Sequence, residues 1–273
     1  MNKIYVSASF DDLRSPQVRF LEEASRLGEI HALLWSDAEV RTFEGREPKF
    51  PQEERAYLLE SIRYVSRVTL VEDLASADEL PDVGDTRDCT WVVDEAGDKP
   101  ARPEYCRAKG LQYHVIGAEQ IKGFPALAQE GFDVIQGGKK VLVTGCYDWL
   151  HSGHVRFFEE VSQLGDLYVV VGNDANVRLL KGEGHPMIGQ DERRYMVQAI
   201  RFVKQSLITS GFGWMDAEPE IVVVKPDIYA VNEDGDKPEK RAFCQEHGLE
   251  YAVLKRLPKE GLPKRESTKL RGF

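Results

Sequence analysis

The chain has 273 residues, 42% of them hydrophobic, and its 36 basic and 46 acidic residues give a formal net charge of −10 at pH 7. This acidic balance argues against nucleic acid as a partner, because the protein would repel a phosphate backbone. The first residues, MNKIYVSASF, have the pattern of a strand rather than of a signal peptide, and no apolar run has the length of a membrane span. We therefore expect a cytoplasmic protein without membrane insertion.

The chain contains two copies of one unit. Shifted by 137 residues, LRSPQVRFLEEASRLG from Leu13 aligns with LHSGHVRFFEEVSQLG from Leu150, with ten of sixteen positions identical. Shifted by 138 residues, QEERAYLLESIRYV aligns with QDERRYMVQAIRFV, and WVVDEAGDKP aligns with YAVNEDGDKP. Three matches in the same order indicate a tandem duplication. We assign residues 1–130 to the first copy, residues 131–140 to a linker and residues 141–273 to the second copy.

The second copy alternates apolar strands with helices. In chain order the pattern predicts strand KVLVTG, a helix over 154–164, strand DLYVVVG, a helix over 191–202, a strand near 206–209, an apolar stretch over 221–232, a helix near 237–247 and strand EYAVLK. Nearly continuous apolar strands are typical of a parallel sheet covered on both faces. The predicted fold class is α/β, with two tandem Rossmann-like, doubly wound parallel-sheet domains related by internal duplication.

The most distinctive stretch is TGCYDWLHSGHVR, residues 144–156, which forms the first turn between a strand and a helix in the second copy. In such a sheet, ligands bind beyond the carboxyl ends of the strands, where helix N-terminal amides favour a phosphate. Gly145 and Gly153 let the backbone approach a ligand closely. Imidazole groups of His151 and His154 at the same point would stabilise charge that grows on a phosphate in a transition state. An HxGH pattern alone fits exposed histidines equally well, and its place in the βαβ unit favours the catalytic interpretation.

Four motifs of the second copy resemble the cytidylyltransferase family within the HxGH nucleotidyltransferases. TGCYDWLHSGH is similar to that family's first motif and closest to the ethanolamine-phosphate cytidylyltransferases, LKGEGHP to its lysine loop, DERRYMVQAIRFV to its ER helix, and RESTKLR to its closing motif. Members of the family transfer a nucleoside monophosphate from CTP, or from ATP in some branches, and release pyrophosphate. The resemblance implies that this chain transfers CMP from CTP to a phosphorylated alcohol or sugar, or to a phosphonate.

The resemblance also implies roles for particular residues. Four would be catalytic: His151 and His154 stabilise the transition state at the α-phosphate, Lys181 bridges the α-phosphate and the incoming phosphate, and Arg201 holds nucleotide phosphates. A second set would bind the nucleotide: Thr144, Gly145, Cys146, Tyr147, Asp148, Gly153, Asn232, Asp234, Arg256, Ser267 and Thr268. The resemblance leaves the metal ligands open, and Mg²⁺ is expected to arrive with the nucleotide.

The second copy departs from the family pattern at two places. The aspartate that often follows the ER helix is replaced by Val203-Lys204. The closing motif is longer than usual, so either Arg256 or Arg265 could supply its arginine, and the position in the fold favours Arg256.

The first copy lacks most of these phosphate-binding residues. Its replacements are Arg14-Ser15-Pro16-Gln17 for the HSGH tetrapeptide, Ala8 for Gly145, Trp35 for Gly172, Glu44 for Lys181 and Ala96 for Asp234. Each change removes a phosphate contact, so we predict that the first copy is inactive. Other residues are the same in both copies: Arg55 and Arg63 match Arg193 and Arg201, and Asp11 matches Asp148, which favours a structural role for at least some of them.

Two alternatives remain open at this stage. An adenylyltransferase that uses ATP on a sugar phosphate would share the phosphate machinery, and a nucleotide-binding sensor without turnover would share the fold. The residues do not identify the acceptor. Because relatives commonly pair two domains about a two-fold axis, we expect the two copies to form an intramolecular pseudo-dimer, and the whole chain could also form a homodimer.

Overall fold

The computed structural model describes residues 2–125 and 138–270 and divides into two compact units, Met1–Gly123 and Phe124–Phe273. Each unit contains a five-stranded parallel sheet with helices packed beside it. The predicted α/β fold with two Rossmann-like parallel-sheet domains is therefore confirmed. Most of the predicted linker, residues 131–137, lies outside the described residues, and its last residue, Lys140, already begins a strand.

The first unit runs through strands and helices in the order expected from the repeat. Its elements are β1 (Lys3–Ala8), α1 (Ser15–Ser25), β2 (Glu29–Trp35), α2 (Asp37–Glu44), α3 (Gln52–Glu60), β3 (Val65–Val71), β4 (Cys89–Asp94), α4 (Ala101–Lys109) and β5 (Gln112–Ile116). A 3-10 turn, Glu95–Gly97, joins β4 to α4.

The second unit repeats this order. Its elements are β6 (Lys140–Gly145), α5 (Ser152–Val161), β7 (Asp166–Val171), α6 (Asp174–Lys181), α7 (Gln190–Gln198), β8 (Val203–Ile208), α8 (Glu218–Val224), β9 (Ile228–Asn232), α9 (Pro238–His247) and β10 (Glu250–Leu254). Three 3-10 turns lie at Gly213–Met215, Glu233–Gly235 and Ser267–Leu270.

The two sheets have the same strand order. The order is β3-β2-β1-β4-β5 in the first unit and β8-β7-β6-β9-β10 in the second, and every pair of neighbouring strands is parallel. The direction of the connections reverses between β6 and the strands on its two sides, β7 and β9. In doubly wound sheets this reversal opens a crevice beyond the carboxyl ends of the strands. The turn that carries the two histidines follows β6 directly, so it lies at this crevice.

Apolar burial explains why these segments form strands. Val141, Leu142 and Val143 of β6 are fully buried, as are Val169, Val170 and Val171 at the end of β7, so successive residues that point to opposite faces are both covered. A side-chain cap fixes the helix that follows β7, because Asn173 Oδ1 accepts a hydrogen bond from the Asn176 backbone N–H at 2.8 Å.

The structure refines three sequence predictions. The predicted helix over 191–202 ends at Gln198, and β8 begins at Val203 rather than near residue 206. The apolar stretch over 221–232 divides into the end of α8 and the strand β9. Lys225 has a left-handed backbone conformation with φ of 50°, and Pro226 follows it, so the helix cannot continue into the strand.

Candidate active site

His151 and His154 lie together at the N-terminus of α5. His151 is the N-cap residue, and its Nδ1 accepts a hydrogen bond from the Gly153 backbone N–H at 3.1 Å. The two imidazole rings are stacked, with centroids 3.9 Å apart and planes inclined by 25°. Because Nδ1 of His151 is an acceptor, the neutral ring carries its proton on Nε2. Nε2 of His151 and Nδ1 of His154 are both buried, and neither has a hydrogen-bond partner in the part of the chain that the structure describes.

Burial keeps both imidazoles neutral. It lowers the pKa of His151 to about 3, and the positive charges of Arg256 and Arg265 act in the same direction. The pKa of His154 lies well below its usual value, first because of burial and then because protonation would be opposed by electrostatic repulsion from its neighbours, among them Arg256 and Lys181. Lys181, Arg256 and Arg265 therefore lie close enough to act on the histidines. Two neutral rings with unused polar atoms, surrounded by three cations, suit a polyanionic ligand.

Glycines make room for this turn. A Cβ atom on Gly153 would lie 3.0 Å from Cε1 and 3.1 Å from Nδ1 of His151. A Cβ on Gly145 would lie 2.6 Å from Cζ of Tyr147, whose ring covers the end of β6 and contacts His154 edge-on with ring centroids 5.3 Å apart. Tyr147 is buried and adopts a φ of 52°, so its side chain supports the histidines from within the fold.

Lys181 connects the histidines to a small cavity beyond β6 and β7. The cavity has a volume of about 170 Å³, and Lys181 lines it from the last turn of α6. Thr144, Gly145 and Cys146 line it from the end of β6. Thr144 Oγ1 is 2.9 Å from the Tyr229 hydroxyl, which fixes its orientation.

Further predicted nucleotide-binding residues come from the C-terminal segment, which lies beside the histidine turn. Arg256 forms an ion pair with Asp234, which lies in the 3-10 turn after Asn232 at the end of β9. Arg256 Nη2 also donates to the Arg265 carbonyl at 3.4 Å. Both arginines act electrostatically on His151, so the structure is compatible with either one in the closing motif.

Ser267 and Thr268 open the last 3-10 turn. Ser267 Oγ donates to the Trp149 carbonyl at 3.4 Å, which holds this turn against the histidine loop. The Thr268 side chain lies outside the described atoms, so its predicted phosphate contact stays a prediction.

Arg201 does not join this cluster. It lies in the turn between α7 and β8, and hence at the amino end of β8, whereas the histidines lie at the carboxyl edge of the sheet. The six residues of β8 separate the two edges by roughly 20 Å, at about 3.3 Å per residue. The structure therefore gives no support to a catalytic role for Arg201, which the resemblance implied.

Arg193, in α7, is the arginine that reaches the loops at the site. It is 1% exposed and donates to the carbonyls of Ile188 (2.8 Å), Cys146 (2.6 Å) and Gly172 (2.8 Å) and to Asp174 Oδ1 (2.7 Å). All of its nitrogens are occupied by the protein, so it fixes the loops after β6 and β7 instead of binding a ligand.

The first unit contains the same buried arginine with four protein partners, an arrangement that we call the arginine clamp. Arg55 donates to the carbonyls of Phe50 (3.0 Å), Ser9 (2.5 Å) and Trp35 (2.8 Å) and to Asp37 Oδ1 (2.7 Å). Because an inactive copy would not need a catalytic arginine, its presence in both units supports the structural role.

Asp148 is also a structural residue that both copies share. Its Oδ1 accepts the backbone N–H groups of Met187 and Ile188, at 2.7 and 3.0 Å, and so ties the loop that follows Lys181 to the histidine turn. In the first unit Asp11 accepts the N–H groups of Lys49 and Phe50 at 2.8 and 3.0 Å. Asp148 therefore positions the lysine loop, and its predicted contact with the nucleotide has no support in the structure.

The sequence analysis missed four polar residues that line the cavity: Asn176, Thr209, Asp216 and Lys240. Asn176 Nδ2 donates to Asp216 Oδ2 at 2.7 Å, and its Oδ1 accepts the Gly213 N–H at 2.7 Å. No motif marks these residues. An ungapped comparison of the copies gives a signal, since the small Gly172 beside them is replaced by Trp35 in the first copy.

The described residues contain no group of three or more His, Cys, Asp or Glu side chains arranged to hold a metal ion. None of the helices in the described part of the chain is both long and apolar enough to cross a bilayer.

Comparisons with known proteins place the second unit in a family. Residues 142–234 match the model of the family described as cytidylyltransferase-like. Over 112 residues the chain is 36% identical to the bifunctional protein HldE of Geobacter sulfurreducens, a match that covers 40% of this chain but only 23% of HldE. The chain thus spans about a quarter of the length of that relative.

Two archaeal relatives are covered much more fully. The chain is 34% identical over 125 residues to the FAD synthase of Ferroglobus placidus, with 45% of this chain and 78% of the relative covered. It is 36% identical over 126 residues to the FAD synthase of Aciduliprofundum boonei, with 80% of that relative covered. Among solved structures, the lipopolysaccharide core biosynthesis protein of Thermoplasma volcanium matches 45% of this chain and 100% of its own, at 24% identity and a TM-score of 0.39. The family model and the well-covered relatives together show that this chain belongs to the cytidylyltransferase-like family of nucleotidyltransferases.

Proposed function

We propose that the second unit transfers CMP from CTP to a phosphorylated alcohol or sugar, or to a phosphonate, and releases pyrophosphate. The observation that carries this proposal is the stacked pair of buried, neutral histidines with unpartnered ring nitrogens beside Lys181, Arg256 and Arg265. Burying such polar atoms without partners is costly, so their persistence favours a ligand that pairs with them.

The reaction needs alignment more than it needs a base. An oxygen of the acceptor phosphate attacks the α-phosphorus, a new P–O bond forms, and the bond to the oxygen of the leaving pyrophosphate breaks. The attacking oxygen is already ionised, so no proton has to be removed. The main barrier is repulsion between two anions, which neighbouring cations reduce.

Each group of the site has a place in this scheme. The Nε2–H of His151 would donate to an oxygen of the α-phosphate. The approach of the triphosphate would raise the depressed pKa of both histidines, because an anion favours the protonated ring. Lys181, which lies between the histidines and the cavity, would contact the α-phosphate and the acceptor phosphate at once. Mg²⁺ bound to the nucleotide would neutralise further phosphate charge.

The N-terminus of α5 adds to this electrostatic stabilisation. Its backbone N–H groups and helix dipole favour negative charge beside the histidine turn. Asn232, Asp234 and Arg256, beyond β9, would lie beside the nucleoside and its phosphates.

ATP is the second candidate donor. The relatives HldE and FAD synthase are of the adenylyltransferase type, which favours ATP, whereas the GCYD motif and the description of the family model favour CTP. The phosphate-binding residues would serve either nucleotide. A nucleotide-binding sensor without turnover is the remaining alternative, and against it stand the intact histidines and Lys181.

The proposal is tested by pyrophosphate release from the purified full chain with Mg²⁺, with CTP and ATP offered in turn against a panel of phosphorylated alcohols and sugars. We expect release with CTP and a subset of the acceptors. Release with ATP alone would replace CTP by ATP as the donor. Nucleotide binding without release for any acceptor would favour the sensor.

A further inference from the structure

The cavity beside Lys181 contains a pair of opposite charges that the reaction scheme does not use. Asp216 and Lys240 both line it, at the end of the aromatic loop after β8 and in the first turn of α9. Lys240 is 9% exposed, and no carboxylate lies within 4.0 Å of its Nζ among the residues that the structure describes. Its Nζ lies 5.7 Å from the centroid of the Tyr229 ring.

Burial acts on both charges. It raises the pKa of Asp216 and lowers the pKa of Lys240, so each ionised group lacks part of the solvation it would have in water. Asn176 holds Asp216 in place through the hydrogen bond of 2.7 Å. Two fixed, incompletely solvated groups of opposite charge that face one cavity are suited to a polar ligand between them.

In the first unit the equivalent two residues form a direct ion pair. The shift of 138 residues places Asp78 opposite Asp216 and Arg102 opposite Lys240. There Arg102 Nε donates to Asp78 Oδ1 at 2.9 Å, and its other nitrogens donate to the carbonyls of Gly97 and Ala77. The ion pair in the first copy is complete without a ligand.

The residue beside Asp216 also differs between the two units. A Cβ on Gly172 would lie 3.7 Å from Asp216 Oδ2, so a glycine there leaves the carboxylate open to the cavity. In the first unit the equivalent residue is Trp35, whose Nε1 donates to Ser7 Oγ at 2.9 Å across the end of β1. The first unit keeps a cavity of about 260 Å³ lined by Arg102 and Trp35, but its arginine already forms the ion pair. In the second unit the shorter lysine forms no such pair among the described residues, and a glycine stands in place of the tryptophan.

We propose that Asp216 and Lys240 together bind a hydroxyl group of the acceptor, so that the acceptor is a phosphorylated polyol or sugar. A hydroxyl group can donate to the carboxylate and accept from the ammonium group at the same time. The ammonium group of an amino alcohol would pair with Asp216 but be repelled by Lys240. A second anionic group would pair with Lys240 but be repelled by Asp216. The inference rests on the proposed function and specifies its acceptor.

Two further features of the cavity agree with a small, hydroxylated acceptor. Its volume of about 170 Å³ leaves room for the body of a small acceptor. Trp214 lies on its rim with 56% of its surface exposed, where an indole can cover the C–H face of a polyol.

The test compares acceptors that differ in their hydroxyl groups. Pyrophosphate release is measured on the full chain with sn-glycerol 3-phosphate, ribose 5-phosphate and glucose 1-phosphate, and with propyl phosphate and phosphoethanolamine. We expect at least one hydroxylated acceptor to have a KM about tenfold or more below that of propyl phosphate, since hydrogen bonds to charged groups contribute differences of that size. A KM for propyl phosphate or phosphoethanolamine as low as that of the best hydroxylated acceptor would overturn the proposal.

Variants of the pair sharpen the test. Asp216→Asn, and Lys240→Arg, which introduces the residue of the first copy, should each raise the KM of the hydroxylated acceptor about tenfold and leave that of propyl phosphate unchanged. The matched control is Arg102→Lys in the first unit, which should leave both values as they are. An unchanged KM for the hydroxylated acceptor in both cavity variants would contradict the proposal.

Direct binding separates this inference from the proposed function. If no nucleotide supports release, calorimetric titration of the same acceptors into the full chain, with a non-hydrolysable nucleotide analogue present, still measures their preference. Tighter binding of a hydroxylated acceptor that is lost in Asp216→Asn would support the cavity assignment even though transfer failed. Binding without any preference among the acceptors would overturn it.

Discussion

In the first unit the turn after β1 places Arg14 at the N-terminus of α1, where its side chain pairs with Asp12 at 2.7 Å. In the second unit the equivalent turn places His151 there, with a ring nitrogen left unpartnered within the described residues. The sheet order and the buried arginine are the same in both units, whereas the carboxyl edge of the sheet differs. The comparison separates residues that maintain the fold, present in both copies, from residues that only the second copy needs for chemistry.

The arginine clamp is where the two units should behave alike and where the largest effect is expected. Replacing Arg193 or Arg55 by Ala leaves several buried carbonyls and a carboxylate without their donor. We expect each variant to lose about 3 kcal/mol or more of the free energy of unfolding of its own unit. Chemical denaturation with a probe in each unit measures this. A stable Arg193→Ala variant that lost only nucleotide affinity would show that the clamp is a ligand-binding group.

The histidine turn is where the two units should differ most. We expect His151→Asn to reduce turnover by about 10²-fold, the loss typical for one donor to a developing negative charge. Asn preserves the helix cap, because its side chain can also accept from the Gly153 N–H. The matched variant in the first unit, Arg14→Asn, should not alter turnover. Steady-state pyrophosphate release measures both, and equal losses in the two variants would mean that the first copy takes part in the reaction.

Gly153 tests how exactly the ring of His151 must be held. A Cβ there would lie 3.0 Å from the ring, so Gly153→Ala should displace His151 by a few tenths of an ångström. We expect about tenfold lower turnover with no loss of stability, because alanine favours a helix more than glycine does. Pro16→Ala is the equivalent change in the first unit and should leave turnover unchanged. Full activity in Gly153→Ala would show that the site tolerates movement of the ring.

The pH dependence of stability tests directly whether the ring of His151 is held neutral. The pKa of His151 is about 3 in the folded chain against 6.5 for an ordinary histidine, so between these values the unfolded chain binds more protons. Stability contributed by this group is complete above pH 6.5 and is lost as the pH falls towards 3. His151→Asn should therefore weaken the pH dependence of the melting temperature between pH 6.5 and 4. An unchanged slope would mean that the ring is not held neutral.

Much of the fold was predictable, because apolar strands and a repeated pattern are local features of the sequence. The histidine turn was predictable for the same reason, since HSGH follows a strand directly. The position of Arg201 was not predictable: its motif resembles the family, but the sequence does not show that helix α7 ends before it and leaves it at the opposite edge of the sheet from the histidines. Asp216 and Lys240 were missed because the cavity brings together residues from separate segments.

The central claim is that one copy of the duplicated unit binds nucleotide and the other does not. Calorimetric titration of the full chain with non-hydrolysable analogues of CTP and ATP tests it by the number of sites. We predict one nucleotide per chain, with affinity weakened by Lys181→Ala and unchanged by Glu44→Ala, its counterpart in the first unit. Two nucleotides per chain, or affinity that depends on Glu44 and not on Lys181, would contradict the account.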